Sequence, residues 1–425
     1  MAYLTEQVKT FGGLNCHVVS TDKFKTTTII LRFKTPLDER RVTARALLSH
    51  VLKNATAESP VPQQLERRLD DLYGATLSSG LAKKGNAHIL SLAITVANER
   101  FISDRTPLLE QALNLLAEVA FRPLTRNGAF DKAVVSKQQR SLKQYIRSVY
   151  DDKIRYANQR LIDEMCSQEI FRLHTYGYAE EVDGISPEAL YETWRTMLAQ
   201  DKIDLYLVGQ VEPETAFEQV KNVFHFAERP AQAIKEERTL PAPEKVRIVE
   251  ERQAVAQGKL NMGFRTDIVL GDRLYDAFQV FNGLFGVFPH SKLFMNVREK
   301  ASLAYYASSS YEGLKGLLIV NSGIESVNYD KAVSIIKDQL KDIQGGRFSK
   351  GEMDQTKALL RNILLESLDS PFSIVNLLYQ RVLGSTFTSV EDRLKNIDAV
   401  TRDEIIEAAK RTALDTIFFL KSEAA

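Results

Sequence analysis

The chain has 425 residues, more than one hydrophobic core commonly serves, which sets an expectation of two or three domains. Hydrophobic residues at 44% and charged residues at 26% exclude a disordered or fibrous chain. With 56 basic against 55 acidic residues and a formal net charge of +1, no overall field draws the protein to nucleic acid or anionic lipid.

The opening MAYLTEQVKTFGGL has no basic region followed by an apolar run, and no apolar stretch approaches the roughly 20 residues of a membrane span. A soluble, cytoplasmic protein without membrane partner is expected. The run Thr26 to Phe33 (TTTIILRF) predicts a strand, and Arg45 to Leu52 (RALLSHVL), after a loop with Pro36, predicts a helix. Phe130 to Lys153 shows helical apolar spacing, and a capped helix near Ser186-Pro187-Glu188 leads to a strand at Leu205 to Val208. Arg67-Arg68 and Lys83-Lys84 are short basic clusters expected on a solvated face.

Prolines, alanines and mixed charges replace apolar periodicity from Ala227 to Arg247, the composition of a linker. Beyond it the same series returns. A strand at Lys259 to Phe264 is followed by a helix at Arg273 to Leu284, and a second long helix by a cap at Thr401 with Glu404 and a strand at Ile417 to Leu420. Phe130 to Lys153 and Phe348 to Pro371 align at a constant offset of 218 (130 with 348, 151 with 369), matching Lys132 with Lys350, Leu142 with Leu360 and Asp151 with Asp369. Duplication explains a register kept along a whole helix. The expected architecture is α+β: two similar tandem domains, each a mostly antiparallel sheet packed with helices, over residues 1–226 and 248–425 with 227–247 between them.

Cys16 and Cys166 lie far apart without CxxC spacing, so neither a disulfide framework nor a thiolate zinc site is expected. No P-loop, GxGxxG or GxSxG pattern occurs.

Two similar α+β halves, the segment Leu47 to Thr56 (LLSHVLKNAT) and the segment from Leu293 (LFMNVREKASLAYYASSSY) together resemble the insulinase (pitrilysin) type of zinc peptidase over essentially the whole chain. The bacterial two-domain members are most similar, among them the insulinase-like branch associated with modification of elongation factor P. Active members carry HxxEH on a helix, with two zinc-binding histidines and a glutamate base between them. Laid on this sequence, the motif falls on Ala46, Leu47, Leu48, Ser49 and His50, and His50 alone matches. Alanine has no donor atom, and the hydroxyl of Ser49 is not ionised at neutral pH as a carboxylate base is. The downstream glutamate pair falls on Gln138 and Tyr145 ahead of Asp151-Asp152, and Ser136 to Ser148 contains no acidic residue. The zinc set therefore reads as lost. A lone His50 on an apolar helix is expected to be a hydrogen-bonded histidine, and His17, His88, His174, His225 and His290 show no ligand spacing.

The second half retains what the first has lost. Family members use an arginine and a tyrosine seven residues apart to engage substrate, and these match Arg298 and Tyr305. In the resemblance, arginine gives fixed donors to a substrate carbonyl and tyrosine adds one near the developing oxyanion. The implied protein is a pseudo-peptidase, with no catalytic residue and no cofactor of its own. It would bind peptide or unfolded polypeptide as a heterodimer with an HxxEH-bearing paralogue that holds the zinc, as the two subunits of mitochondrial processing peptidase divide labour. A homodimer is an alternative. Two other readings stay open: a non-proteolytic scaffold of the same fold, and an active zinc peptidase with unorthodox ligands.

Overall fold

The computed structural model describes residues 3–103, 106–228, 240–384 and 388–423. The linker positions 229–239 lie outside the described residues.

In the first half, six strands form one sheet: β1 (Glu6–Phe11), β2 (Leu14–Ser20), β3 (Thr26–Pro36), β4 (Thr76–Lys84), β5 (Ala87–Ala97) and β6 (Lys202–Gly209), in the order β1-β2-β6-β3-β5-β4. The β-branched run Thr26–Ile30 gives β3 its extended preference, and its central position buries residues on both faces of the pleat. Helix α1 (Val42–Leu52) packs against the sheet through a common core in which Ala46, Leu47, Leu48 and Val51 meet Ile29, Leu31 and Leu90. In the second half five strands, β7 (Arg247–Gln253), β8 (Gly258–Thr266), β9 (Ala304–Glu312), β10 (Leu317–Ile324) and β11 (Thr412–Ser422), run in the order β9-β10-β8-β11-β7.

The two sheets have the same topology. β2-β6-β3-β5-β4 corresponds strand by strand to β7-β11-β8-β10-β9. Each sheet carries one parallel pair, β2 with β6 and β7 with β11, among otherwise antiparallel neighbours. The α+β fold expected from the sequence is the one observed. The helices repeat as well. Helix α2 (Lys132–Asp151) and helix α3 (Lys153–Met165) recur as α4 (Lys350–Glu366) and α5 (Pro371–Gly384), so both pairs of helix starts keep the offset of 218. Ser349 and Thr401 close capping boxes with Glu352 and Glu404, and Ser186 caps the helix that begins at Pro187.

The compact units are not the contiguous halves 1–226 and 248–425. One comprises Met1–Ser148, Leu173–Glu236 and Asp369–Leu377; the other comprises Val149–Arg172, Glu237–Leu368 and Leu378–Ala425. Each unit thus includes a helical segment supplied by the opposite half of the sequence. In the first unit Arg32 on β3 donates to Asn376 at 2.6 Å, and Lys23 reaches Asp369 at 3.1 Å. In the second, α3 lies on β8, where Gly263 makes room for it: a Cβ there would stand 2.5 Å from the Met165 sulfur. A buried ion cluster fastens the same segment, with Glu169 held by Arg265 at 2.7 Å and Lys315 at 3.0 Å, and Arg265 also paired with Asp415 at 2.6 Å. The first unit has its own buried polar groups. His17 lies between Glu6 at 2.8 Å and Asp204 at 3.4 Å, and Arg45 pairs with Asp201 at 2.7 Å. Both cysteines are buried and neither forms a disulfide. Among the described residues no helix is long and apolar enough to cross a membrane.

Candidate functional site

Helix α1 brings the five motif positions to the interior of the first unit. Ala46 is 0% exposed and Ser49 2% exposed, and Leu47 and Leu48 are equally enclosed in the core. The Ser49 hydroxyl donates to the Ala46 carbonyl at 2.8 Å, a local bond that serines within helices commonly make. The Ser49 carbonyl in turn accepts from the Ser79 hydroxyl on β4 at 2.6 Å. Ser49 is thus engaged on both its side-chain and main-chain oxygens, and neither Ala46 nor Ser49 reaches a surface where a metal-bound water could sit.

His50, the one matching motif residue, is half-buried, and the Asn54 side-chain amide donates to its main-chain carbonyl. Burial, and then the charge of Lys53, holds its imidazole below the ordinary histidine range. Its ring meets the ring of Tyr145, with centroids 6.4 Å apart and planes tilted by 57°. Tyr145 comes from α2, so the structure brings the first and second motif segments together in space. Gln138, two turns back along the same helix, is buried. A third ring, Tyr176, lies 4.5 Å from Tyr145. Burial, reinforced by the neighbouring Tyr145, pushes the Tyr176 hydroxyl up to about 12 against a smaller opposing effect of the Leu81 amide. Neither the motif nor its spacing pointed to Tyr176; the aromatic loop HTYGY (174–178) is the only trace of it in the sequence.

Zinc does not fit this set. A catalytic zinc site takes three protein ligands and a water. Here the motif positions supply one imidazole, a methyl group, an internally bonded hydroxyl and a phenol. Among the described residues no group of three histidine, cysteine, aspartate or glutamate side chains is placed to hold a metal ion.

The second unit treats its motif differently. Residues Phe294–Lys300 wind as a π-helix, Ser302 takes a positive φ of 50°, and β9 begins at Ala304. Leu293, Val297 and Leu303 are buried anchors of this turn, and the Leu303 amide donates to the Val297 carbonyl at 3.1 Å. Between and just beyond the anchors, Arg298 and Tyr305 face outward. Arg298 lies over the Phe294 ring at 4.5 Å and beside Glu299 at 3.5 Å, with its side chain 43% exposed. Tyr305 is 82% exposed at a break in the pairing of β9 with β10, and β9 is the edge strand of its sheet. A π-helical turn and a strand irregularity next to each other are features that re-aim side chains, often at functional sites. What this turn offers chemically is a guanidinium fork and a phenol donor held on buried anchors.

Comparison with known proteins agrees with this geometry. The family described as Peptidase M16 inactive domain matches residues 184–360. The chain is 45% identical over 423 residues to a protein of Bacillus subtilis (strain 168) named "Probable inactive metalloprotease YmfF", covering 99% of each. Among solved structures, a conserved protein from Enterococcus faecalis V583 superimposes with a TM-score of 0.92 at 34% identity over 99% of both chains. A structure from Pseudomonas fluorescens, described as a peptidase M16 inactive domain, shares the fold with a TM-score of 0.79 at 18% identity, again over 99% of both chains. Full-length identity at this level, on a shared fold, establishes that the chain belongs to the M16 peptidase family.

Proposed function

We propose that this protein is the non-catalytic, peptide-binding subunit of a cytoplasmic M16 peptidase pair, working with an HxxEH-bearing paralogue that holds the zinc. The observation that carries the reading is the unequal fate of the two motif segments. The metal positions have been converted to packing, whereas Arg298 and Tyr305, whose place in the family is at the substrate, stay exposed on a built turn.

The first sheet supports a grip on extended polypeptide. β4 is its edge strand, half-exposed along most of its length, and it lies directly beside the motif helix through the bond from Ser79 to Ser49. An open edge offers main-chain donors and acceptors to an incoming strand, a common mode of peptide recognition.

The test is hydrolysis of a mixed peptide library by the purified chain, by an HxxEH-bearing relative from the same organism, and by the two together, with and without chelator. Chelator-sensitive activity that appears or rises strongly only in the mixture is expected. Within the mixture, Arg298→Ala lowers turnover by about tenfold or more while co-purification of the two chains is unchanged. Equal activity with and without this chain favours a scaffold role, and zinc-dependent activity of the chain alone overturns the proposal.

A further inference from the structure

Within the first unit, the N-terminal end of α1 and one face of the helix Pro187–Gln200 enclose a cavity of about 160 Å³ that none of the motif positions lines. From α1 it receives Arg41 and Arg45. From the other helix it receives Ala189, Glu192, Thr193, Thr196 and Met197, residues at the three- and four-residue steps that share a single helical face. At about 30 Å³ for each water in the liquid, the space takes roughly five waters or one small organic molecule.

The polar groups of the wall divide into those already spent and those still open. Arg45 is only 3% exposed; its Nη1 pairs with Asp201 at 2.7 Å and its Nη2 donates to the Phe33 carbonyl at 3.2 Å. Its Nε is buried and, among the described residues, has no acceptor. A buried N–H in that position costs stability until something accepts from it. The Arg45 charge is also felt beyond Asp201, since burial and then Arg45 hold the nearby His88 imidazole down to about 3. The Thr193 hydroxyl is spent on the Ala189 carbonyl at 2.9 Å, and Glu192, at the exposed side, lies 3.3 Å from Arg195. Arg41 meets Asp38 through its Nε at 3.4 Å, and among the described residues neither its Nη atoms nor the Thr196 hydroxyl has a partner. Both carboxylates of the wall are thus engaged, and what stays open is a set of donors.

That set calls for a guest that accepts hydrogen bonds and carries little charge. Arg41 and Arg45 balance Glu192 and Asp201, so a doubly charged anion gains no surplus of positive charge and meets two carboxylates. A single carboxylate is planar, carries one charge and matches the fork of an arginine. Ala189 and Met197 add apolar wall beside the donors, which suits a short alkyl end.

We propose that this cavity is a binding site for a short-chain carboxylate, whose oxygens accept from Arg45 Nε, Arg41 and Thr196 and whose alkyl end lies against Ala189 and Met197. The inference does not depend on the peptide-binding reading, because the site lies on other residues and takes a different ligand. An occupant bridges α1 to the helix Pro187–Gln200, and a ligand that binds only the folded chain stabilises it by mass action.

The test uses the full-length chain and ligand-observed NMR with propionate, beside inorganic phosphate and chloride at equal ionic strength. Propionate is expected to bind saturably with a dissociation constant of about 1 mM, to raise the urea midpoint over the same concentration range, and to bind more tightly than phosphate. Arg41→Gln, at a half-exposed position, should weaken propionate about tenfold through the loss of a charge-assisted hydrogen bond, and Thr196→Val should weaken it by a smaller factor. Arg195→Gln, on the same helix but outside the cavity wall, should leave it unchanged. No saturable binding beyond that of chloride, which means a cavity holding water alone, overturns the proposal. Tighter binding of phosphate, or propionate binding that Arg41→Gln and Thr196→Val leave unaltered, overturns it equally.

Discussion

Helix α1 in the first unit and the turn from Phe294 to Tyr305 in the second carry the two sets of family motif positions, and they expose them in opposite ways. In α1 the changed residues, Ala46 and Ser49, lie inside the core, and the Ser49 hydroxyl is spent on the Ala46 carbonyl. In the turn, Leu293, Val297 and Leu303 go inside so that Arg298 and Tyr305 can stay out. A helix that once needed polar ligands facing a cavity can be stabilised by exchanging them for a methyl group and a self-bonded serine, because each exchange removes a buried group that would need a partner. The turn has undergone no such conversion. The difference teaches that the loss of chemistry here is local: it has been absorbed as packing in one unit while the other unit kept its outward-facing donors.

Rebuilding the motif is the strongest way to break this comparison. The double substitution Ala46→His and Ser49→Glu puts a ring where a methyl group now fits and a carboxylate where no water reaches. Overpacking and an unpaired buried charge together are expected to cost about 3–5 kcal/mol in urea unfolding. Zinc content after dialysis should stay well below one per chain, since Tyr145, the ring beside His50, offers no carboxylate. A variant of wild-type stability carrying one tightly held zinc would mean that α1 is a dormant metal site and not a repacked one.

Much of this was legible in the sequence, for reasons that can be traced to particular residues. The duplication was, because amphipathic helices keep their register: the starts at Lys132 and Lys350, and at Lys153 and Pro371, hold the offset of 218. The central strands β3, β6, β8 and β11 were, because apolar runs buried on both faces leave a continuous signal. The strands β1, β4 and β9 were not, since they are sheet edges with polar, half-exposed sequences such as EQVKTF and AYYASSSY. The grouping of α3 with the second unit was not legible either. It depends on Gly263 leaving room for Met165 and on Glu169 meeting Arg265 and Lys315, contacts made across about a hundred residues of chain or more. The π-helix at Phe294–Lys300 has no compositional mark that separates it from an α-helix, and Tyr176 joins His50 and Tyr145 only once the chain is folded.

Two histidines of the first unit sharpen the contrast through pH, because they act with opposite sign. His17 is opposed by burial but held above its ordinary range by the Asp204 and Glu6 carboxylates on either side, with Lys34 and Lys202 close to Asp204. Its folded pKa exceeds the unfolded value of about 6.5, so its contribution to stability is complete below that pH and is lost as pH rises through the folded value. His50 has the reverse shift. Its contribution is complete above about pH 6.5 and is lost as pH falls through its depressed folded value. Urea midpoints measured across pH should therefore respond separately: His17→Gln flattens the alkaline side of the profile and His50→Gln flattens the acid side. A single shared effect of both variants would show that the neighbours, and not the two imidazoles, set the profile.

The smallest expected effect is the most discriminating for the turn. Tyr305→Ala removes a side chain that is 82% exposed, and Arg298→Ala removes one whose neighbours are an exposed Glu299 and the face of Phe294. Each should change unfolding stability by no more than about 0.5 kcal/mol, the ordinary size for exposed positions. Leu303→Ala, two residues before Tyr305, empties a buried anchor and should cost about 2–3 kcal/mol in the same assay. If Tyr305→Ala costs as much as Leu303→Ala, the tyrosine is a structural part of the strand's start and its exposure signifies nothing. If the two separate as expected, the fold spends its interior residues on holding a tyrosine and an arginine in the open, and their use must be sought in what they touch when the protein is bound.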